Sequence, residues 1–364
     1  MFRQKNMKIL ILTNYDVGLY QFRQELILEL LKNNEVYISL PYGKLVEPLK
    51  QMGCIFLNTP LDRRGINPLK DLKLIRIYKK IIKKTHPDFV ITYTIKPNIY
   101  GGYVCQKYGV SYAVNITGLG TSFQKSGLLK AFVTKLYRIG LKKADVVFFE
   151  NIENKQIFIH ERIVNEARTC LLNGAGVNLE RYPYSSYPSD ENCTKFLFMG
   201  RVMKEKGIEE LFFAMHRLFI EGYLCELTVL GGYEEDYCEI IKKYESEGWL
   251  KYMGYQEDVR PFIEQAHCFV LPSWHEGMAN TNLECASMGR PVITTNIHGC
   301  LEAVEDGVSG FLCEKQNADD LYHKMKQFIS LSYEERKAMG IAGRKRMEKL
   351  FDKRKVVEET IIRL

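Results

Sequence analysis

Short apolar runs separated by amphipathic stretches set the rhythm of the first half of this 364-residue chain. Residues 8–14, 35–40, 54–58, 89–93, 111–117 and 145–149 are rich in Val, Ile, Leu and Phe and are bounded by polar or Gly-bearing positions. Runs of five to seven residues with little polar alternation predict strands buried on both faces. Helical spacing between them predicts helices near 20–32, 69–84, 97–107 and 127–142. Strand–helix alternation of this kind means a parallel sheet with helices on both sides. Residues 179–194 (LERYPYSSYPSDENCT) break the rhythm, because Pro, Ser and Tyr replace any periodic pattern, and they predict a linker. The alternation then restarts, with strands at 195–199, 226–230, 268–271 and 292–295. Helices follow near 207–219, 234–244, 259–266, 278–288 and 317–329. Asn317 is placed as an N-cap before two aspartates, and Ser332 with Glu335 as a capping box. The expectation is an α/β protein with two Rossmann-like parallel-sheet domains facing across a cleft. Its parts are a first domain at 1–178, a linker at 179–194, a second domain at 195–350, and a terminal helix at 351–364 crossing back to the first. Ligands of open α/β sheets bind at such clefts.

Composition narrows the class without naming a chemistry. Hydrophobic and charged contents of 46% and 26% are those of a globular protein rather than a disordered one. The ten cysteines are scattered with no CxxC pair, which predicts free thiols in a reducing cytoplasm. Apolar runs such as 146–149 are far too short to span a bilayer, and no signal-peptide h-region accompanies Arg3, Lys5 and Lys8. The net charge of +7 conceals an asymmetry. Residues 1–190 carry 28 Lys+Arg against 15 Asp+Glu, while residues 191–364 carry 23 against 29. A basic first half and an acidic second half point to an anionic partner for the first domain.

Two stretches carry candidate chemistry. In 267–291 (HCFVLPSWHEGMANTNLECASMGRP) a buried strand leads through a loop into a helix expected from Met278. Glu276 and Glu284 stand eight residues apart, about 800° of helical turn, so both fall near one face. Gly277 admits a ligand close to the backbone, and the following amides of Met278 and Ala279, with Asn280 beyond, form an anion seat at a helix N-terminus. Phosphate beside hydroxyl groups is the chemistry of a nucleotide sugar. In 196–207 (FLFMGRVMKEKG) a strand ends at Gly200, Arg201 follows, and Lys206-Gly207 opens a helix. Two cations at a strand's carboxyl end suit a diphosphate leaving group, whose growing charge they neutralise.

Together these stretches resemble the family-4 retaining glycosyltransferases of the GT-B fold over nearly the whole chain. Glu276 and Glu284 match the family's Glu-x7-Glu element, and Gly200-Arg201 with Lys206-Gly207 match its cationic pair. Residues 173–178 (NGAGVN) resemble the Asn-Gly-Val-Asp segment with an extra Ala-Gly, and Gly299–Glu302 and Asp306–Phe311 resemble the stretches after the carboxylate helix. Tyr20-Gln21-Phe22-Arg23 and Gly118-Leu119-Gly120 make the chain look most like bacterial enzymes that extend sugars on polyprenyl diphosphate. The resemblance implies that Arg201 and Lys206 hold the donor diphosphate and that Glu284 accepts from the ribose. It also implies that Glu276 contacts the donor sugar, with the Gly277–Ala279 amides near sugar and phosphate, and that Val259 lies beside the nucleobase. It implies a UDP-sugar donor, retention at the anomeric carbon, and a polyprenyl-diphosphate-linked glycan acceptor. The site would be cytoplasmic, at the inner face of the plasma membrane.

The first domain offers weaker candidates. Gly18, in a loop expected at 14–20, lets backbone approach the reacting sugar. Tyr20, Arg23, Lys96, Thr117 and Gly118 are placed toward the acceptor. Residues 117–120 are GxG, but Phe123 stands where a dinucleotide fingerprint needs a third glycine, which disfavours an oxidoreductase. Residues 69–86 place Leu72, Ile75, Lys79 and Ile82 on one stripe among five further lysines, and 128–143 is a second basic, apolar segment. Either is suited to an anionic membrane surface. The absence of Asp-x-Asp leaves a diphosphate-bridging metal without evident ligands. No cofactor beyond the donor is expected, and no nucleic-acid partner, because no basic patch is interleaved with stacking aromatics. A nucleotide-sugar epimerase and a nucleotide-sugar sensor remain as alternatives.

Overall fold

The computed structural model describes residues 6–61, 67–119, 127–189 and 193–364. The chain divides into two compact units, Met1–Ala175 with Arg354–Leu364, and Gly176–Lys353.

The first unit holds seven strands: β1 (Lys8–Leu12), β2 (Glu35–Leu40), β3 (Ile55–Asn58), β4 (Phe89–Tyr93), β5 (Ser111–Ile116), β6 (Val146–Phe149) and β7 (Thr169–Leu171). They form one parallel sheet in the order β3-β2-β1-β4-β5-β6-β7. The period of two along each strand builds two separate cores. Ile9, Ile11, Ile38 and Ile91 face the helix Asp16–Leu31, while Leu10, Leu12, Val90 and Val114 face the helices Pro68–Thr85 and Leu128–Leu141. Central β4 is buried at every position, whereas edge β3 is exposed at both ends, as expected where one side lacks a neighbour. Val356, from the helix Lys353–Ile362, completes the first of these cores.

The second unit holds six parallel strands: β8 (Thr194–Met199), β9 (Cys225–Leu230), β10 (Leu250–Gly254), β11 (Cys268–Leu271), β12 (Val292–Thr295) and β13 (Gly310–Cys313). Their order is β10-β9-β8-β11-β12-β13. Asn317 caps the helix Ala318–Ser330 through Asp320 N–H, and the Ser332–Glu335 capping box forms as the spacing predicts. Residues 181–187 are strapped to this unit. Tyr187 is buried and its hydroxyl donates to His267 O (2.8 Å), while the guanidinium of the fully buried Arg290 donates to Ser185 O (3.2 Å) and Ser186 O (2.9 Å). His267 accepts from Lys195 N–H at Nδ1 (3.0 Å), so Nε2 carries the proton that meets Ser189 O. That arrangement makes it a structural residue.

Several expected boundaries move. The first helix begins at Asp16 rather than near 20, because Asp16 sits in its first turn and its carboxylate accepts Leu45 N–H (2.9 Å). The expected loop holding Gly18 is therefore helix. In Pro68–Thr85 the buried stripe is Asp71, Leu74, Tyr78, Ile82 and Thr85, and Leu72 is half-exposed. The apolar count misses this because an aspartate takes a core position. The segment expected as a helix from 97 opens as a π-turn, Pro97–Gly101, before the helix Gly102–Tyr108. Strands β7, β10 and β13 and the helices Val46–Gln51 and Ile152–His160 had no expected counterpart, since three to nine residues give a periodic pattern little length to declare itself.

Candidate functional site

In the second unit the chemistry gathers past the carboxyl ends of β8 and β11. After β8 the chain runs through Gly200 and Arg201 into a tight turn, Lys204–Lys206, closed by Gly207 at φ +72°. A Cβ on Gly207 would lie 2.0 Å from Pro272 O, so only glycine allows this turn to press on the loop after β11. The join is completed by Trp274 N–H donating to Glu205 O (2.9 Å) and the Ser273 hydroxyl to the same oxygen (3.3 Å). The result brings Lys206 Nζ onto Glu276 Oε1 as a mostly buried ion pair, seventy residues apart in sequence. Arg201 is different: its side chain is 52% exposed and lies 3.6 Å from Glu234. An exposed pair of that length contributes little to stability and leaves the guanidinium reachable.

The loop then climbs to the helix Asn280–Ser287, which starts two residues later than the spacing predicts. Ala279 is its N-cap, and its amide donates to Gly299 O (2.7 Å). Gly299 has φ +93°, and a Cβ there would meet Glu276 O at 2.7 Å and Gly277 O at 2.8 Å. The Ala279 amide, expected near the sugar and phosphate, is thus engaged by Gly299 O in this structure. The first-turn amides of Asn280 and Thr281 have no acceptor within the helix, and they carry the positive end of its dipole. The buried Oδ1 of Asn280 meets no donor among the described residues. Met278 is buried and Val259, N-cap of Arg260–Gln265, packs partly into the core.

Glu284 lies in the second turn of the same helix and is half-buried. Desolvation by the surrounding protein pushes its carboxyl up to about 7, against the opposing pull of a Tyr182 hydrogen bond and the charges of Lys353 and Arg181. Trp274 turns its indole N–H to Glu210 (3.1 Å) and carries Lys204 Nζ 5.9 Å from its ring centroid. Burial raises the Glu210 carboxyl as well. Among the described residues, no group of three or more His, Cys, Asp or Glu is arranged to hold a metal ion.

The first unit places its candidates differently. Thr94, one residue past β4, adopts φ +71°, a strained conformation for a β-branched residue. Lys96, two residues on, pairs with Asp71 Oδ1 (2.9 Å), and Tyr100 donates to Asp71 Oδ2 (2.9 Å). Arg23 pairs with Glu150 and lies 5.2 Å from the Tyr93 ring centroid. Both cations are therefore buried against carboxylates. Tyr20 packs partly on the core, and Gly18 sits in the first helical turn without a positive φ. Thr117 and Gly118 follow β5 and are half-buried, while Gly120 and Phe123 lie outside the described residues.

Residues 8–151 match the family model described as Glycosyl transferase 4-like, and residues 185–346 match that of Glycosyl transferases group 1. The chain belongs to the family-4 glycosyltransferases. It is 24% identical over 349 residues to the N,N'-diacetylbacillosaminyl-diphospho-undecaprenol alpha-1,3-N-acetylgalactosaminyltransferase of Campylobacter jejuni, covering 91% of this chain and 90% of that one. To the UDP-Gal:alpha-D-GlcNAc-diphosphoundecaprenol alpha-1,3-galactosyltransferase of Escherichia coli it is 28% identical over 318 residues, covering 82% and 81%. Among solved structures, Anabaena HepE in complex with UDP and glucose superposes with a TM-score of 0.81 at 18% identity, covering 98% of this chain and 100% of that one. The two parallel-sheet units are those of the GT-B fold.

In this glycosyltransferase the structure joins Lys206 to Glu276, faces Arg201 with Glu234, and faces Glu284 with Tyr182. Asp71, Glu150, Tyr182 and Lys353 were not foreseen as partners of the candidate residues. Each lies far away in sequence, and the only signal was a charged or hydroxylated residue in an otherwise apolar or irregular stretch.

Proposed function

We propose that this glycosyltransferase moves a sugar from a UDP-sugar to a hydroxyl of a polyprenyl-diphosphate-linked glycan during cell-surface polysaccharide synthesis, with retention at the anomeric carbon. The observation that carries the reading is the Lys206–Glu276 pair in the loop that leads to a helix N-terminus whose first two amides have no acceptor within the helix. Lys206, Arg201 and the Asn280 and Thr281 amides take the growing charge of the departing diphosphate. Glu276, released from Lys206 as the diphosphate arrives, is left to meet the donor sugar, and Glu284 accepts from the ribose hydroxyls. The acceptor oxygen forms its bond to the anomeric carbon on the face from which the diphosphate leaves, and the acceptor proton passes to a diphosphate oxygen. This route needs no metal and no enzyme nucleophile. The relatives named for undecaprenyl-diphosphate substrates support the acceptor class.

Meeting such an acceptor requires the inner membrane face. No helix of the described residues is long and apolar enough to cross a membrane. The first unit instead exposes Leu69 (79%), Leu72, Leu128 (92%), Leu129 and Phe132 at the starts of two lysine-rich helices, a composition that rests on anionic lipid. The test is incubation with a panel of UDP-sugars and a lipid-diphosphate acceptor. Free UDP with a heavier glycolipid supports the transferase. A new UDP-sugar without acceptor extension would mean an epimerase, and binding without turnover a sensor.

A further inference from the structure

The loop that leads to the helix Asn280–Ser287 is braced by a second loop, the one after β12. There the chain turns at Ile297, whose carbonyl accepts the amides of Cys300 (3.0 Å) and Leu301 (3.0 Å). Gly299, inside that turn, is held by both of its backbone polar groups. Its carbonyl accepts from Ala279 N–H (2.7 Å), and its own amide donates to Glu302 Oε2 (2.7 Å). The other oxygen of that carboxylate meets His298 Nδ1 (2.8 Å). Glu302 is itself anchored, because Arg346 Nε (3.0 Å) and Nη2 (2.8 Å) both donate to its carbonyl. The fit is close, since at φ +93° Gly299 lies so near the Glu276 and Gly277 carbonyls that no Cβ has room. A carboxylate that accepts a backbone amide makes a charge-assisted bond, roughly twice as strong as a neutral one.

We infer that Glu302 is a positioning residue for sugar transfer, its carboxylate fixing Gly299 and, through it, the segment from Glu276 to Ala279 that meets the donor sugar. The inference rests on the reading of Glu276 as the donor-sugar contact. Glu302 acts through Gly299 rather than on the sugar. The helix beyond that segment has anchors of its own. Asn282 Nδ2 donates to Thr294 Oγ1 (3.1 Å), the Ser287 hydroxyl to Tyr182 O (2.7 Å), and Arg344 Nη1 to Ser287 O (2.9 Å). Leu283, Cys285 and Ala286 are buried in the core of the unit. Glu284 and the first-turn amides therefore ride on an element seated independently of Glu302. Loss of the Glu302 carboxylate frees the loop in front of the helix and leaves the helix in place. A misplacement of about 1 Å costs on the order of 10²-fold in rate, so the sugar-holding segment is where such loosening is felt.

Variants of the full chain test this by two readouts, calorimetric titration of UDP and steady-state transfer to a lipid-diphosphate acceptor from the panel of UDP-sugars. Glu302→Ala is expected to lower kcat for transfer by about 10- to 100-fold while binding UDP as the wild type does. Glu302→Gln keeps an acceptor oxygen for the Gly299 amide and is expected to recover most of the rate. Glu302→Asp keeps the charge but is one methylene too short to reach Gly299. It is expected to lose rate as alanine does, and it carries the test where the alanine variant does not fold. A purely structural glutamate would, on replacement, weaken UDP binding and transfer together or change neither. Either result overturns the inference, as does a glutamine variant no faster than alanine. Glu276→Gln separates the two readings. If it transfers as the wild type does, the donor-sugar assignment itself is lost. If it loses transfer while Glu302→Ala and Glu302→Asp keep the wild-type rate, only the positioning role falls.

Discussion

Both units carry cations just beyond their strands' carboxyl ends, yet the two sets are held in different ways. In the first unit Arg23 and Lys96 are buried against Glu150 and Asp71, with side chains only 12% and 13% exposed. In the second, Arg201 is 52% exposed beside a distant glutamate, whereas Lys206 is mostly buried in its pair with Glu276, much as the first unit's cations are, at the foot of a helix whose first two amides have no acceptor within the helix. A buried ion pair has spent its charge internally and fixes geometry, and taking one partner away leaves an uncompensated charge. An exposed cation such as Arg201 keeps its field available to an anion. The same α/β plan therefore pairs the first unit's cations internally, and in the second it leaves Arg201 exposed, where the proposed reading puts the donor diphosphate.

The strongest way to break this contrast is to remove a cation from each side. Lys206→Ala or Arg201→Ala is expected to lower sugar transfer by roughly 10²–10³-fold, the scale for deleting one group that stabilises developing charge, while the melting temperature changes little for Arg201→Ala. Normal turnover in both variants would remove the leaving-group role. Arg23→Met should behave oppositely. It strands Glu150 in the protein interior and is expected to cost about 3–5 kcal/mol in urea unfolding, and a change below roughly 1 kcal/mol would show that the pair is no scaffold.

A smaller effect sharpens the picture at Glu284. Its carboxyl sits near 7 in the folded chain against an ordinary value of 4.5, so folding favours the neutral form. The associated stability is fully present below about pH 4.5 and is lost as pH rises through about 7. Glu284→Gln should erase that slope and leave the donor-free protein up to roughly 3 kcal/mol more stable at pH 8, even as it loses UDP affinity. Parallel urea melts of both forms at pH 5 to 8 read this directly, and identical slopes would remove the burial argument. The smallest expected effect is none at all. Exhaustive EDTA treatment should leave the transfer rate unchanged if side chains and amides alone hold the diphosphate, and rescue by added divalent metal would reverse that conclusion.

Much of the architecture was legible because it is local. Apolar runs at 35–40, 89–93, 268–271 and 292–295 coincide with β2, β4, β11 and β12, since a buried strand needs an unbroken apolar run to survive between two helical layers. Edge strands such as β10, exposed at alternate positions, lack that requirement and escaped notice. The family resemblance placed Lys206 at the donor diphosphate and Glu276 at the donor sugar, but neither their direct ion pair nor its physical cause was anticipated. That cause is the close approach of Gly207 to Pro272 and of Gly299 to the Glu276 carbonyl, which no periodicity reveals.

Residue pattern alone determined the two-fold strand–helix alternation, the basic and acidic halves, and the carboxylates and cations that an activated sugar requires. Only the tertiary structure decided which charges are spent and which remain available. It buried Arg23 and Lys96 against partners 127 and 25 residues away, took the Ala279 amide for Gly299, and brought Tyr182 to Glu284. The reason is that hydrogen bonds and ion pairs are settled by distances of a few ångströms between elements. Chain order constrains such distances only when the partners are neighbours.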